Sequence, residues 1–507
     1  MSDGEGETLH TIGKHIIRGS AWMVAMRWSM RGIGILSTVI LARLLLPEDY
    51  GLVAVSMIIV AFIEVFSWTH ADLALIQNPN AGRAHYDAAW TLNILVGFAA
   101  GGFLLIVAPL AGTYFGDERI IPVIQLFALR PIFVGFENIG VVAFRKELNF
   151  SKEFMFFVYG RLITFVVTIT IAWIYRNYWA LAIGMVCTPG IRLILSYCMH
   201  PYRPRISFRK LKEIWRFARW MTLFNIGEFF TKKTDEIIVA NIASTSLMGN
   251  YSVASRISLM LTSEIVAPLE RSLLPAYAKL SHDSKEMEAA FFKVFSTIAI
   301  ICTAAGAGMS AVADDLVAVL LGANWTDTAP IIAWLAIFGG VSGIAYCVRI
   351  VLIAIGSEKS NAILIWVQAL ILAPILLIAG IQWGLIEIAI ARAAVAIIFA
   401  VALLILVVRR QLISAGLIVS ALWRPLVSAA VMFVAVKAIH SDSMGPPILR
   451  LAADVTTGAF IFAGTLFACW WLAGRPDGTE RVALNFLTRR ISSWRKSSPP
   501  KSPGDLS

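Results

Sequence analysis

Charged side chains stand inside apolar stretches of this chain at helical spacing. Arg27 and Arg31, with Gly34 and Thr38, follow the i, i+4, i+7, i+11 rhythm that lines up one face of a helix. The pattern returns in Asn225, Glu228, Lys232 and Asp235, in Ser252, Arg256 and Ser263, and in Ser342, Tyr346 and Arg349. A guanidinium keeps its charge when desolvated and grips phosphate oxygens through paired N–H donors. Arg27, Arg31, Arg256 and Arg349, with Lys232, are therefore candidate ligands for an anion such as pyrophosphate. Two plainer readings stand beside this one. Arg27 and Arg31 could lie at the aqueous interface and snorkel, and Lys232, Lys233, Asp235 and Glu236 could neutralise one another along their helix.

The acidic residues suggest a second kind of chemistry. A carboxylate in a low-dielectric cavity can exchange a proton or hold a cation during a cycle, which makes Glu64, Asp72, Asp235 and Glu228 candidate ion-coupling residues. Glu64 and Asp72, eight residues apart with Trp68 between, are expected on one helix face. Pairing with an arginine would give the same carboxylates a structural role. No cofactor is expected beyond a coupling proton or sodium ion.

Such residues need elements to hold them. About fourteen apolar stretches of roughly 20 residues, each long enough to cross a bilayer core about 30 Å thick, run from residue 20 to residue 472. The composition agrees, with 58% hydrophobic and 15% charged residues. The weakest span, 51–66, is interrupted by Glu64, and its helix could run on to Ile76; the fourth is expected as one helix over 120–142. Stretches such as 298–307 and 395–408 are apolar on every face, which excludes the alternation of a β-barrel strand. The fold class is an all-α integral membrane protein. About eighteen charged residues within the spans would cost roughly 45 to 60 kcal/mol if each faced lipid, so most must face one another, water or headgroups.

The formal net charge is +11. With both termini in the cytoplasm, about 28 Lys and Arg fall in cytoplasmic segments, about 5 outside and about 10 within helices, a bias that orients the chain. Nucleic acid is not an expected partner, because no folded basic module is present. The five cysteines lack paired spacing, so neither a disulfide framework nor a metal site is expected, and buried thiols are. The polar residues 1–9 do not open a cleavable signal peptide. Gly13 and Lys14 precede His15 and lack the upstream glycine of a phosphate-binding loop, which argues against an ATP-driven pump. The outer turns are too short for the catalytic loops of a glycosyltransferase, so no enzyme is expected.

Six domains follow: a cytoplasmic N-terminus (1–19), a six-helix lobe (20–199), a basic cytoplasmic linker (200–220), a second six-helix lobe (221–410), two further helices (411–473) and a basic, partly disordered cytoplasmic tail (474–507). In the linker, 208–217 is expected as an amphipathic surface helix. A faint repeat lays 39–56 on 240–257, with Tyr50 on Tyr251, at an offset of about 200 residues. Even helix parity in each half would make it a parallel repeat. Chance similarity of two apolar hairpins is the alternative.

The stretches ARLLLPEDYGLVA (42–54), ALIQ (74–77) and LMGNYSVASRIS (247–258) carry a family resemblance. The chain resembles the Wzx-type polysaccharide flippases, in the lipopolysaccharide and exopolysaccharide exporter branch of the multidrug/oligosaccharidyl-lipid/polysaccharide superfamily, over about residues 16–472. The resemblance implies a V-shaped, MATE-like molecule of two six-helix lobes and two extra helices in the bacterial inner membrane. It implies alternating access on an undecaprenyl pyrophosphate-linked oligosaccharide for exopolysaccharide or lipopolysaccharide biosynthesis. Arg27, Arg31 and Arg256 occupy places comparable to the family's cavity cations. Membrane lipids, a polysaccharide polymerase and export machinery are the further partners implied. A cation-coupled drug or metabolite exporter and a flippase for a lipid-linked cell-wall precursor are the alternatives.

Overall fold

A computed structural model describes the backbone of residues 3–475 except 68, 79, 148, 281–283, 355–357, 411 and 440–444. Within helices it describes side chains other than those of 3–21, 77, 216–224, 228, 231, 261–272, 274–276, 278–280, 284 and 358–362. Trp68, the Glu228 and Ser263 side chains and the expected tail beyond 475 lie outside the described residues.

Apolar sequence and internally satisfied backbone bonds make helix the regular structure of the described chain. In order the helices are α1 (Asp3–Leu44), α2 (Pro47–Ser67), α3 (Ala71–Gln77), α4 (Arg83–Phe115), α5 (Ile120–Phe127), α6 (Leu129–Phe136), α7 (Val142–Lys146), α8 (Phe150–Tyr175) and α9 (Trp179–Met199). There follow α10 (Leu211–Ile242), α11 (Thr245–Leu280), α12 (Ser284–Ala311), α13 (Ala313–Leu320), α14 (Thr328–Ala354), α15 (Glu358–Gln382), α16 (Leu385–Arg409), α17 (Ala415–Ile439) and α18 (Pro447–Leu472). Local chemistry sets several ends. Pro47 opens α2 with Glu48 and Asp49 in the first turn, and Asp49 Oδ2 accepts from Leu46 N at 3.0 Å. Gly116 closes α4 at φ 68°, a left-handed conformation that suits glycine.

Eleven of the described helices are long and apolar enough to cross a membrane, or twelve if the bent pair over 120–146 is one span. α10 and α11, at 32 and 36 residues, are also long enough but carry more charge, and with them the helices are compatible with the fourteen expected. Large apolar side chains point outward, among them Trp28, Ile106, Leu110, Leu370 and Phe460, a surface suited to lipid rather than water. The chain is a multi-pass membrane protein.

The helices gather into two compact units. The first holds Met1–Val253, Leu320–Thr326 and Ala369–Leu385. In it α4 packs on α5 and α6, α8 on α1 and α9, and α10 on α2. α2 meets the start of α11 so closely that a Cβ on Gly51 would collide with the Thr245 carbonyl and one on Gly249 with that of Pro47. Trp325, fully buried, donates its Nε1–H to Ala42 O at 2.8 Å and meets Tyr50 edge-on. The second unit holds Ala254–Val319, Asp327–Gln368 and Ile386–Ser507, with α12 packed on α14 and α17, and α17 on α18.

Four expectations need correction. α2 stops at Ser67 and helix resumes only at Ala71, with His70 left-handed at φ 49°, so Glu64 and Asp72 do not share an unbroken helix face, although the apolar span does reach Ile76. The fourth span bends by 61° between Phe136 and Ile139, where the buried Asn138 turns the chain. Residues 211–217 begin the continuous α10 instead of forming a separate surface helix, since no Gly or Pro interrupts them. Cys198 is exposed, whereas Cys302 and Cys347 are buried thiols as expected.

The basic connection after α9 is strapped to the first unit. Tyr202 donates to Asp87 Oδ1 at 2.6 Å, Arg205 N to the same oxygen at 2.9 Å, and Ser207 N to Thr91 Oγ1 at 2.9 Å. Asn138 Nδ2 donates to Tyr202 O at 2.7 Å. Burial and the Asp87 bond push the Tyr202 phenol well above its usual range. Burial holds the His200 imidazole below its usual value, with Lys152 and Arg203 adding to the effect and Glu147 opposing it.

Candidate functional site

The first candidate site lies along α1. Arg27 and Arg31 are both half-buried on this helix, one turn apart, and the Nε and Nη2 atoms of Arg31 are shielded from solvent. α8 packs alongside, with Phe154 against Trp22 at 5.0 Å between ring centroids. Further along the seam, Arg161 of α8 reaches over Gly34, its Nη2 3.6 Å from where a Cβ on that glycine would stand. Arg161 thus reaches the α1 helix at Gly34, the glycine that helical spacing puts on one face with Arg27 and Arg31, and spacing within α1 could not reveal it. Thr38 spends its hydroxyl on Gly34 O at 3.0 Å, a bond inside the helix.

The α10 stripe is divided by its surroundings. Asn225 and Asp235 are buried and Lys232 is exposed. Asp235 Oδ2 accepts the Tyr251 hydroxyl at 2.8 Å, and Lys233 pairs with Glu236 at 2.6 Å one turn away, the local neutralisation that spacing suggested for that pair. In the second unit Arg256 is exposed on α11, and Arg349 on α14 donates to Gln368 Oε1 at 2.9 Å. Arg392 is buried with its guanidinium 4.5 Å from the centre of the Phe338 ring, a packed cation rather than an open one.

The candidate coupling residues separate. Glu64 accepts from Arg130 Nε at 3.0 Å, and Arg130 Nη1 also donates to Met185 O at 2.8 Å, which ties α2, α6 and α9 together. Asp72 is half-exposed and lies 3.9 Å from Arg145. It lines a cavity of about 340 Å3 within the first unit, together with Glu137, Arg145, Glu153 and Arg192. Spacing along the sequence singled out none of those four, because their partners come from different helices.

Comparison with known proteins bears on the family and the fold. A family model described as polysaccharide biosynthesis protein matches residues 40–330. The lipopolysaccharide biosynthesis protein WzxC of Escherichia coli (strain K12) is 23% identical over 331 residues, 64% of this chain and 66% of that protein, just under two thirds of its length. The succinoglycan biosynthesis transport protein ExoT of Rhizobium meliloti (strain 1021) is 23% identical over 335 residues, 65% of this chain and 67% of that one. Among solved structures, lipid II flippase MurJ in an inward closed conformation superposes with a TM-score of 0.73 at 13% identity, covering 90% of this chain and 100% of that chain. An inward-facing multidrug resistance MATE family transporter gives 0.60 at 16% identity, covering 76% and 94%. At such identities these two likenesses speak for the fold.

Proposed function

The chain belongs to the polysaccharide biosynthesis protein family, and on that premise we propose that it moves undecaprenyl pyrophosphate-linked oligosaccharide repeat units across the bacterial inner membrane by alternating access. The observation that carries this reading is the row of guanidiniums on α1 and α8 in a chain of that family. An oligosaccharide head cannot cross hydrocarbon unaided, because each unpaired hydroxyl costs roughly 2 to 7 kcal/mol there. A polar path must carry the head while the polyprenyl tail stays in lipid. Arg27 and Arg31 supply charge-assisted donors to the pyrophosphate, with Arg161 as a third; Lys232, Arg256 and Arg349 are assigned the same task on other helices.

Both termini are assigned to the cytoplasm by the basic bias of the connections. The lobes over 20–199 and 221–410 would rock about the linker to re-expose the head outside. The chain is read as a transporter without an enzymatic step, working beside membrane lipids and a polysaccharide polymerase.

The test is mass spectrometry of lipid-linked glycans from cells depleted of this protein, each species assigned to a leaflet with an impermeant probe. Complete repeat units trapped on the cytoplasmic face are expected. Truncated units would point to glycan assembly instead, and an unchanged profile would favour export of small molecules.

A further inference from the structure

The connection between α9 and α10 has no regular structure over 201–208, yet it is firmly held. The Tyr202 hydroxyl and the Arg205 amide both donate to Asp87 Oδ1, and Ser207 N donates to Thr91 Oγ1. Both acceptors belong to α4, which has 33 residues. At 1.5 Å per residue that helix measures about 50 Å, against about 30 Å for a bilayer core, so its first turns stand at headgroup level. The strap is therefore fixed where phospholipid headgroups lie.

Its bonds divide the basic side chains into two kinds. Arg203 folds back onto the carbonyls of Tyr197, His200 and Tyr202, with its guanidinium 5.6 Å from the centre of the Tyr197 ring. Lys210 pairs with Glu213 at 3.2 Å. Arg205, Arg209 and Lys212 are exposed, and among the described residues no carboxylate pairs with them. Asp87 and Glu213, the carboxylates that touch the strap, are already engaged. Beside these three cations Ile206, Phe208 and Trp215 are also exposed. Apolar and aromatic groups among unspent cations suit a boundary with acyl chains on one side and negative headgroups on the other.

Other occupants fit this surface less well. The C-terminal segment of the chain carries Arg481, Arg489, Arg490, Arg495 and Lys496, cations of the same sign as the surface. A soluble acidic partner would answer the charges and leave the three apolar groups without acyl contact.

We propose that Arg205, Arg209 and Lys212, with Ile206, Phe208 and Trp215, form a binding surface for anionic phospholipid. The cations hold headgroup phosphates and the apolar side chains enter the acyl region beneath. Lipid so held tethers the connection to one leaflet. The surface belongs wholly to the first unit and does not rest on the transport reading.

Native mass spectrometry of the purified full chain in non-ionic detergent, titrated with phosphatidylglycerol and in parallel with phosphatidylcholine, reads the surface directly. Tighter binding of phosphatidylglycerol is expected. It should weaken about five-fold in Arg205→Gln, Arg209→Gln or Lys212→Gln alone and about a hundred-fold in the triple variant. Should the triple variant fail to fold, the single variants carry the same test. Phe208→Ser should weaken both lipids alike, and no effect on either would overturn the apolar part. Affinity for phosphatidylglycerol unchanged by the cation variants, or no preference for it over phosphatidylcholine, would overturn the proposal. So would an equal loss in Lys293→Gln/Arg409→Gln, exposed cations of the second unit, since net charge alone would then be read. Loss confined to undecaprenyl pyrophosphate, with phosphatidylglycerol still bound, would overturn it in favour of a substrate dock.

Discussion

Arg27 and Arg31 put two fixed positive charges one turn apart in a helix whose outer face carries Trp28, Ile35 and Leu36. If these guanidiniums hold pyrophosphate, replacing either with glutamine removes charge-assisted bonds worth about 1.5 to 3 kcal/mol, an effect of about ten-fold or more on translocation rate in proteoliposomes. Arg31→Lys should fall between wild type and Arg31→Gln, since it keeps charge but loses the planar fork. Equal rates for all three would remove Arg31 from the path. His200 gives a pH prediction. Its imidazole is held neutral by burial, and its Nδ1 accepts from Tyr202 N at 3.1 Å, which requires that nitrogen to be unprotonated. Below about pH 6.5 the unfolded imidazole takes up a proton that the folded one still refuses, so stability falls as pH drops. Melting curves in detergent should therefore show a smaller loss between pH 7 and pH 5 for His200→Gln than for wild type; identical slopes would contradict it. The sequence made the α1 charges legible because i, i+4 spacing is local. It concealed the partners of Glu64, Glu137 and Glu153, because an ion pair such as Arg130 with Glu64, 66 residues apart, leaves no trace in spacing.

At the scale of elements, the crossing of α2 with α11 is built on two glycines. The contact is reciprocal: Gly51 lies against Thr245 and Gly249 against Pro47, which relates the two helix starts by a local two-fold arrangement. Each of the two aligned stretches folds as the end of one helix, a short turn and the start of a second, α1 into α2 and α10 into α11. The contact aligns Pro47 with Thr245, three residues from the Tyr50 and Tyr251 register, and the two tyrosines meet different partners, Trp325 and Asp235. A backbone carbonyl cannot swing aside as a side chain can. Gly51→Val or Gly249→Val should therefore destabilise by about 1 to 3 kcal/mol, seen as a lowered melting midpoint, while Gly416→Ala, with open space around it, should leave the midpoint near wild type. Unchanged midpoints for both crossing variants would show that the helices do not approach so closely. Spans were legible because lipid demands long apolar runs whatever their packing. The break at His70 was not, because no proline or glycine marks it, and the bend at Asn138 was not, because the bonds of Asn138 to Ser196 and Tyr202 that hold it come from far along the chain.

For the whole molecule, the family model shows the family, and the likeness to MurJ and a MATE transporter shows the fold. Resemblance to a family was legible from short motifs such as ARLLLPEDYGLVA, whereas the charged cavity of the first unit was not, since its walls come from five separate stretches of chain. Loss of the protein should leave glycan assembly intact and halt it at the cytoplasmic leaflet, so complete lipid-linked repeat units should accumulate there. The most direct measurement uses purified protein in proteoliposomes loaded with undecaprenyl pyrophosphate-linked oligosaccharide, following access of the sugar to an impermeant enzyme added outside. Protein-dependent exposure of sugar from the inner leaflet, slowed by Arg31→Gln, is the predicted result. Exposure no faster than in empty liposomes, with the protein folded and correctly inserted, would contradict it.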